Sequence, residues 1–247
     1  MKRNVITTAD GSKTIQIEGW NEQYHSVHGA IQEAKHVFIK HGLLFCIEQC
    51  SLESFDCAQD KQSREVNSET QIISILEIGF GTGLNAFLTL LKAEELQQNI
   101  QYTGVEAFPV LPEELEQLNY VEQLSAEPWR TAFEKLHSCP WEKEQTIAPN
   151  FQFAKQQKQF KDIQDQNAFD LIYFDAFGPR VQPELWMETM FKTMYNALKP
   201  NGVLVTYSAK GSVRRAMQSV GFLVEKLPGP PGKREILRAK CFQGKGS

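Results

Sequence analysis

Hydrophobic and polar positions change their period several times along the 247 residues. Val5 to Thr8 and Lys13 to Ile17 flank Ala9-Asp10-Gly11-Ser12, whose Asp-Gly pair suits the positive φ of a tight turn, so an N-terminal hairpin is predicted. Ala30, Ala34, Val37 and Phe38 then recur at helical spacing, with Gly42 placed to end that helix. Residues 51–71 are polar and aperiodic and predict a surface loop or insertion, dividing a hairpin-and-helix extension (1–50) from the remainder (72–247). From Ile72 onward, strand and helix periods alternate. Strands are predicted at 72–78, 100–105, 151–154, 169–174, 203–207 and 222–224, with helices around Leu84 to Leu91, two within 112–138, and others near 183–198 and 211–219. Residues 235–239, after the loop Pro228-Gly-Pro-Pro-Gly232, suit an antiparallel last strand. The order is that of an α/β, doubly wound sheet.

Composition narrows the class. Hydrophobic residues at 41% and charged residues at 23% are ordinary globular usage and exclude a collagen-like or wholly disordered chain. Apolar runs such as Leu43 to Ile47 fall far short of the ~20 residues that cross a bilayer, and no signal-type apolar run follows Met1-Lys2-Arg3-Asn4, so a cytoplasmic location is expected. Five cysteines (Cys46, Cys50, Cys57, Cys139, Cys241), odd in number and without C-x-x-C spacing, suggest neither a disulfide framework nor a zinc site, and no metal is expected. The net charge of -4 is uneven. Residues 192–240 hold ten Lys or Arg against Glu225 and Glu235, a balance of 10 − 2 = +8. Two readings stand: a polyanion-binding face, or solvated helix and loop charges.

The sharpest motif is Glu77-Ile-Gly-Phe-Gly-Thr-Gly-Leu-Asn85, between a predicted strand and helix. Gly79, Gly81 and Gly83 allow close backbone approach of a ligand to amides at a helix start. The spacing is G-x-G-x-G, and Leu84 occupies the place of the third glycine of a dinucleotide fingerprint. Glu77 can hold an ammonium or a water, which suits the amino-acid end of S-adenosylmethionine better than a pyrophosphate. Glu106, closing the second strand of this unit, can accept both ribose hydroxyls of an adenosyl group. A third feature is Phe169-Asp-Leu-Ile-Tyr-Phe-Asp-Ala-Phe-Gly-Pro179, a buried-type strand that delivers Asp175 at its carboxyl end. Asp175 can accept hydrogen bonds from an amine nucleophile and Phe177 can wall the site; the alternative is an Asp that only caps a turn.

Together with Gln182-Pro-Glu-Leu-Trp186, Val213-Arg-Arg215, Gly221-Phe, Gly232-Lys-Arg-Glu235 and, upstream, Tyr24-His-Ser26, Glu33 and His36-Val-Phe38, these motifs resemble the methyltransferase half of MnmC over nearly the whole sequence. The resemblance implies a class I S-adenosylmethionine-dependent methyltransferase fold. The implied reaction is methylation of the primary amine of 5-aminomethyl(-2-thio)uridine at the tRNA wobble position, with S-adenosylhomocysteine as coproduct. That family's FAD-dependent oxidoreductase half has no counterpart in these residues, so the likeness is to stand-alone members, with a separate enzyme supplying the aminomethyl uridine. Catalysis then falls to Asp175 and Phe177. Cofactor binding falls to Glu77, Gly79, Gly81, Gly83, Asn85, Glu106 and Asp175, and contact with the tRNA anticodon loop to Tyr24, Pro179, Arg214, Arg215, Lys233 and Arg234. The sequence departs from the wider pattern at Phe151 to Phe160, where no Asp stands near the adenine and Gln159 takes the position. Two other functions compete: a small-amine methyltransferase or aminopropyltransferase, and a non-catalytic adenosyl-binding module serving RNA or a partner.

Overall fold

The computed structural model describes residues 2–59 and 71–242, without the side chains of 53–59. The predicted hairpin is present as β1 (Arg3–Thr7) and β2 (Lys13–Ile17), paired from Arg3 against Ile17 to Thr7 against Lys13. A two-residue β3 (Glu22–Gln23) completes a small antiparallel sheet.

The helix that follows is longer than its pattern predicts. It runs through α1 (Ala30–Ala34), a π-helical middle (Lys35–Leu44) and α2 (Phe45–Gln59). Residues 51–59, expected to be loop, are therefore helical; residues 60–70 lie outside the described residues. Gly42 does not end the helix. A Cβ there would stand 3.0 Å from both the Tyr173 ring and a Val205 methyl, so the missing side chain lets the helix lie against the sheet. Close packing, not capping, accounts for this glycine.

The main sheet has eight strands in the order β10-β11-β9-β8-β4-β5-β7-β6. Its parallel part comprises β4 (Ile73–Ile78), β5 (Ile100–Glu106), β7 (Phe151–Gln157), β8 (Phe169–Phe174) and β9 (Leu198–Thr206). At one edge, β6 (Gln145–Ala148) pairs antiparallel with β7; its residues Gln-Thr-Ile-Ala show too little alternation to predict a strand. At the other edge, β11 (Glu235–Cys241) runs antiparallel between β9 and β10 (Phe222–Pro228). The antiparallel last strand is thus where its sequence predicts.

Alternation along the buried strands feeds two cores. Ile73, Ile75, Leu171, Tyr173, Val203 and Val205 face the long N-terminal helix, α3 (Leu84–Leu96) and α6 (Arg130–Ser138). Leu76, Ile78, Ile172, Phe174 and Leu204 face α7 (Glu188–Ala197) and α8 (Gly211–Ser219). Between β5 and α6 the chain makes the short α4 (Pro112–Leu115) and α5 (Tyr120–Gln123), so three short helices replace the two predicted there.

Gly42→Val inserts branched carbons at the closest approach of helix and sheet. Overpacking of this kind costs ~1–3 kcal/mol, and urea unfolding is expected to show a loss of that size.

Candidate active site

Strand order reverses between β4 and β8. The chain proceeds from β4 to β5 and β7 on one side, then returns to β8 and β9 on the other. Ligands of doubly wound sheets gather outside the strand ends at such a point. The Asp175 backbone amide donates to the Ile78 carbonyl at 3.0 Å, so the β8 exit is bonded to the end of β4. Gly79 (φ +90°) lies so near the Asp175 carbonyl oxygen that a Cβ would stand 2.7 Å from it. Only glycine fits.

A cavity of about 1690 Å³ opens at these strand ends. Of the residues expected at the site, Tyr24, Gly79, Glu106, Asp175, Phe177 and Lys233 line it. Gln159, standing where an acid is more usual, lines it with Gln157. Trp20, Tyr207 and Phe108 also reach the cavity and were missed, because separate turns bring them there and no spacing rule connects them.

Glu77 and Asn85 do not line the cavity but are linked to Asp175 by hydrogen bonds. Glu77 is fully buried; its Oε1 accepts from Asn85 Nδ2 at 2.9 Å and its Oε2 from the Tyr102 hydroxyl at 2.8 Å. The other hydrogen of the same Asn85 amide group reaches Asp175 Oδ2 at 2.8 Å. Burial raises the Glu77 pKa well above the usual carboxylate range, against the two hydrogen bonds it accepts. Burial also raises that of Asp175, to about 7, with the negative charge of Glu33 adding to it and the Asn85 bond and Lys233 opposing it.

Glu106 accepts the Gly81 amide on Oε2 at 3.0 Å and the Phe108 amide on Oε1 at 2.9 Å. Each oxygen keeps an acceptor site, which suits a pair of ribose hydroxyls. Its pKa is raised by burial, and the amide bonds hold it back. Gly81 and Gly83 are not in the cavity lining: a Cβ on Gly81 would meet the Tyr24 ring, itself on the wall, at 2.8 Å, and one on Gly83 would meet His137 at 2.8 Å.

The small N-terminal sheet covers this end. Tyr24 stands edge-on to Phe177 with ring centroids 4.9 Å apart, and Trp20 does so at 5.5 Å. Arg3 bonds the Phe108 and Pro109 carbonyls and pairs with Glu114, and Arg180 bonds the Trp20 and Asn21 carbonyls and Glu22. Pro179 is half-buried in the Asp175 loop and lies outside the cavity lining.

Of the ten cations at 192–240, four meet acids: Lys199 with Asp170, Lys226 with Glu235, Lys233 with Glu33 and Arg238 with Glu225. Lys192 and Lys240 lie over the rings of Tyr195 and Phe45. Lys210, Arg215 and Arg234 are exposed and Arg214 is half-buried, so the basic face narrows to α8, its approach and the hairpin loop. Among the described residues, no group of His, Cys, Asp and Glu is arranged to hold a metal, and no helix is long and apolar enough to cross a membrane.

A family model described as S-adenosyl-L-methionine-dependent methyltransferase matches residues 116–241, from after the glycine loop through the Asp175 loop to β11. The tRNA 5-methylaminomethyl-2-thiouridine biosynthesis bifunctional protein MnmC of Actinobacillus pleuropneumoniae is 29% identical over 252 residues, covering 92% of this chain and 34% of that protein. Its namesake from Hydrogenovibrio crunogenus is 26% identical over 232 residues, covering 90% and 31%. The chain spans about a third of the length of these curated relatives. In fold it is similar to the crystal structure of MnmC2 from Aquifex aeolicus, with a TM-score of 0.69 and 24% identity over 97% of this chain and 70% of that one.

Glu106→Ala removes both carboxylate oxygens from the cavity wall. Hydrogen bonds to a charged group contribute ~1.5–3 kcal/mol, so calorimetry is expected to show S-adenosylhomocysteine bound at least about tenfold more weakly.

Proposed function

Because the chain belongs to the S-adenosyl-L-methionine-dependent methyltransferases, and is therefore an enzyme using that cofactor, we propose that it methylates the primary amine of 5-aminomethyl(-2-thio)uridine at the tRNA wobble position. One observation carries the reading: the Asp175 carboxylate, fixed by Asn85, sits at the strand-order switch in a cavity of about 1690 Å³ walled by Phe177 and Tyr24. Single-ligand pockets measure roughly 300–1,000 Å³, so this space takes a cofactor and an inserted nucleoside together. The similarity to MnmC proteins over 92% of the chain supports the choice of nucleoside.

S-adenosylmethionine in the cavity would supply a sulfonium methyl, electrophilic toward a neutral amine, with S-adenosylhomocysteine as the leaving group. Glu106 would hold the ribose, and the backbone about Gly79 would admit the amino-acid end, with Gly81 and Gly83 shaping the loop. Gln157 and Gln159, on the cavity wall, would border the adenine. Asp175 accepts a hydrogen bond from the acceptor amine, aims its lone pair and takes its proton, since an ammonium has no lone pair to give. Phe177 and Tyr24 offer ring faces to an unpaired base splayed from the anticodon loop. Lys210, Arg214, Arg215 and Arg234 contact phosphates. A separate enzyme supplies the aminomethyl group, and the work is done in the cytoplasm.

Single-turnover transfer of labelled methyl to hypomodified tRNA tests the reading. Asp175→Asn is expected to bind cofactor normally and to slow transfer by about 100- to 10,000-fold, the usual contribution of a general base. Wild-type rates in that variant would leave Asp175 a capping residue. Because the base must start unprotonated, turnover is expected to rise as pH climbs through about 7. Arg215→Ala with Arg234→Ala is expected to weaken tRNA binding and to reduce its salt slope by roughly one for each phosphate no longer neutralised. Unchanged tRNA affinity would favour a small-amine substrate.

A further inference from the structure

Glu33 is a buried acid on the wall of the Asp175 cavity, 6% exposed, on α1. Its Oε2 accepts the Ser26 amide at 2.8 Å and its Oε1 is ion-paired with Lys233 Nζ. Lys233 comes from the loop between β10 and β11 and lies over the Tyr207 ring, 3.9 Å from its centroid. The Tyr207 hydroxyl donates to the carbonyl of Ala176, the neighbour of Asp175, at 2.8 Å. Contacts thus run unbroken from α1 through the hairpin loop to the Asp175 loop. A buried ion pair gains little over apolar packing, so stability alone does not account for these charges.

Building on the amine methylation proposed above, we propose that Glu33 is a positioning residue of the acceptor site: with Lys233 as counter-charge, it sets how firmly Asp175 holds the proton released by the substrate ammonium. In that step an N–H bond breaks, the proton passes to an Asp175 carboxylate oxygen, and the electron pair stays on nitrogen. Ammonium and carboxylate become amine and carboxylic acid, and the proton later leaves to water. Glu33 repels the negative form of Asp175, while Lys233 stabilises it. The other ionisable groups in its field are Glu77 on β4, Tyr102 on β5, Tyr120 on α5 and Tyr207 after β9. His25 lies in the field of Glu33 and Lys233, and neither it nor any of these other groups is substituted in the test.

Two variants pull in opposite directions. In protein carrying ¹³C-labelled aspartate, the Asp175 carboxyl signal is identified by its loss in Asp175→Asn. Its titration midpoint is expected to fall by about one pH unit or more in Glu33→Gln and to rise in Lys233→Met. Glu33→Asp, which keeps the charge, is expected to stay close to the wild type. The acid limb of the kcat profile on hypomodified tRNA should move with each midpoint, with KM changing less. Midpoints that stay put in folded variants, or that move the same way in both, overturn the proposal. If Glu33→Gln does not fold, the sign of the Lys233→Met shift decides alone. The carboxyl titration needs no substrate, so failure of the tRNA reading would show as absent methyl transfer with the midpoints still displaced.

Discussion

The site depends on how closely two strand ends approach each other. Beyond β4 the backbone at Gly79 passes within van der Waals reach of the Asp175 carbonyl beyond β8, and the Asp175 amide is tied to Ile78. With these strands locked side by side at the reversal of strand order, Gly79, Glu106 and Asp175 line one cavity. Were the two ends an ångström further apart, the same side chains would not serve a single reaction, because in-line transfer tolerates little misplacement.

Rigidity at that point comes from a polar chain inside the core. Tyr102 donates to Glu77, Asn85 bridges Glu77 and Asp175, and every link is at hydrogen-bond length. Buried hydrogen bonds of this kind stiffen the groups they link, although the Asn85 Oδ1 of this network has no hydrogen-bond partner among the described residues. It explains why the helix following the glycine loop begins with Leu-Asn and not with two apolar residues. The two hydrogens of one Asn85 amide group serve both carboxylates at once, which no apolar side chain could do.

The sequence revealed the parallel strands, the glycine loop and the Asp175 strand because each writes a local period or a short motif. The site's cover was legible only in part. Tyr24 was marked by the family resemblance, whereas Trp20 comes from a turn of the small sheet and Tyr207 from the exit of β9, so their meeting depends on chain paths that no window of residues encodes. Gly42 misled for a different reason. A glycine after an apolar helical stripe reads as a cap, whereas here its purpose is to let a helix lie on Tyr173 and Val205, a contact between segments about 130 residues apart in sequence or more. Charge was legible only as a sum. The +8 of residues 192–240 already counts Glu225 and Glu235, which pair with Arg238 and Lys226, and acids drawn from elsewhere meet two more of its cations, Asp170 with Lys199 and Glu33 with Lys233.

The place of β11 has a consequence for how the chain comes into being. It enters the sheet between β9 and β10 and bonds to both, so neither neighbour has its full complement of hydrogen bonds until residues 235–241 have emerged from the ribosome. Until then a growing chain leaves open the edge of β9 on which Val203 and Val205 pair with β11. Unpaired edges of this sort invite wrong partners. The segment that seals the sheet is thus made after the strands it seals, and the hairpin loop just before it brings Lys233 to Glu33, joining a late-made part of the fold to an early one.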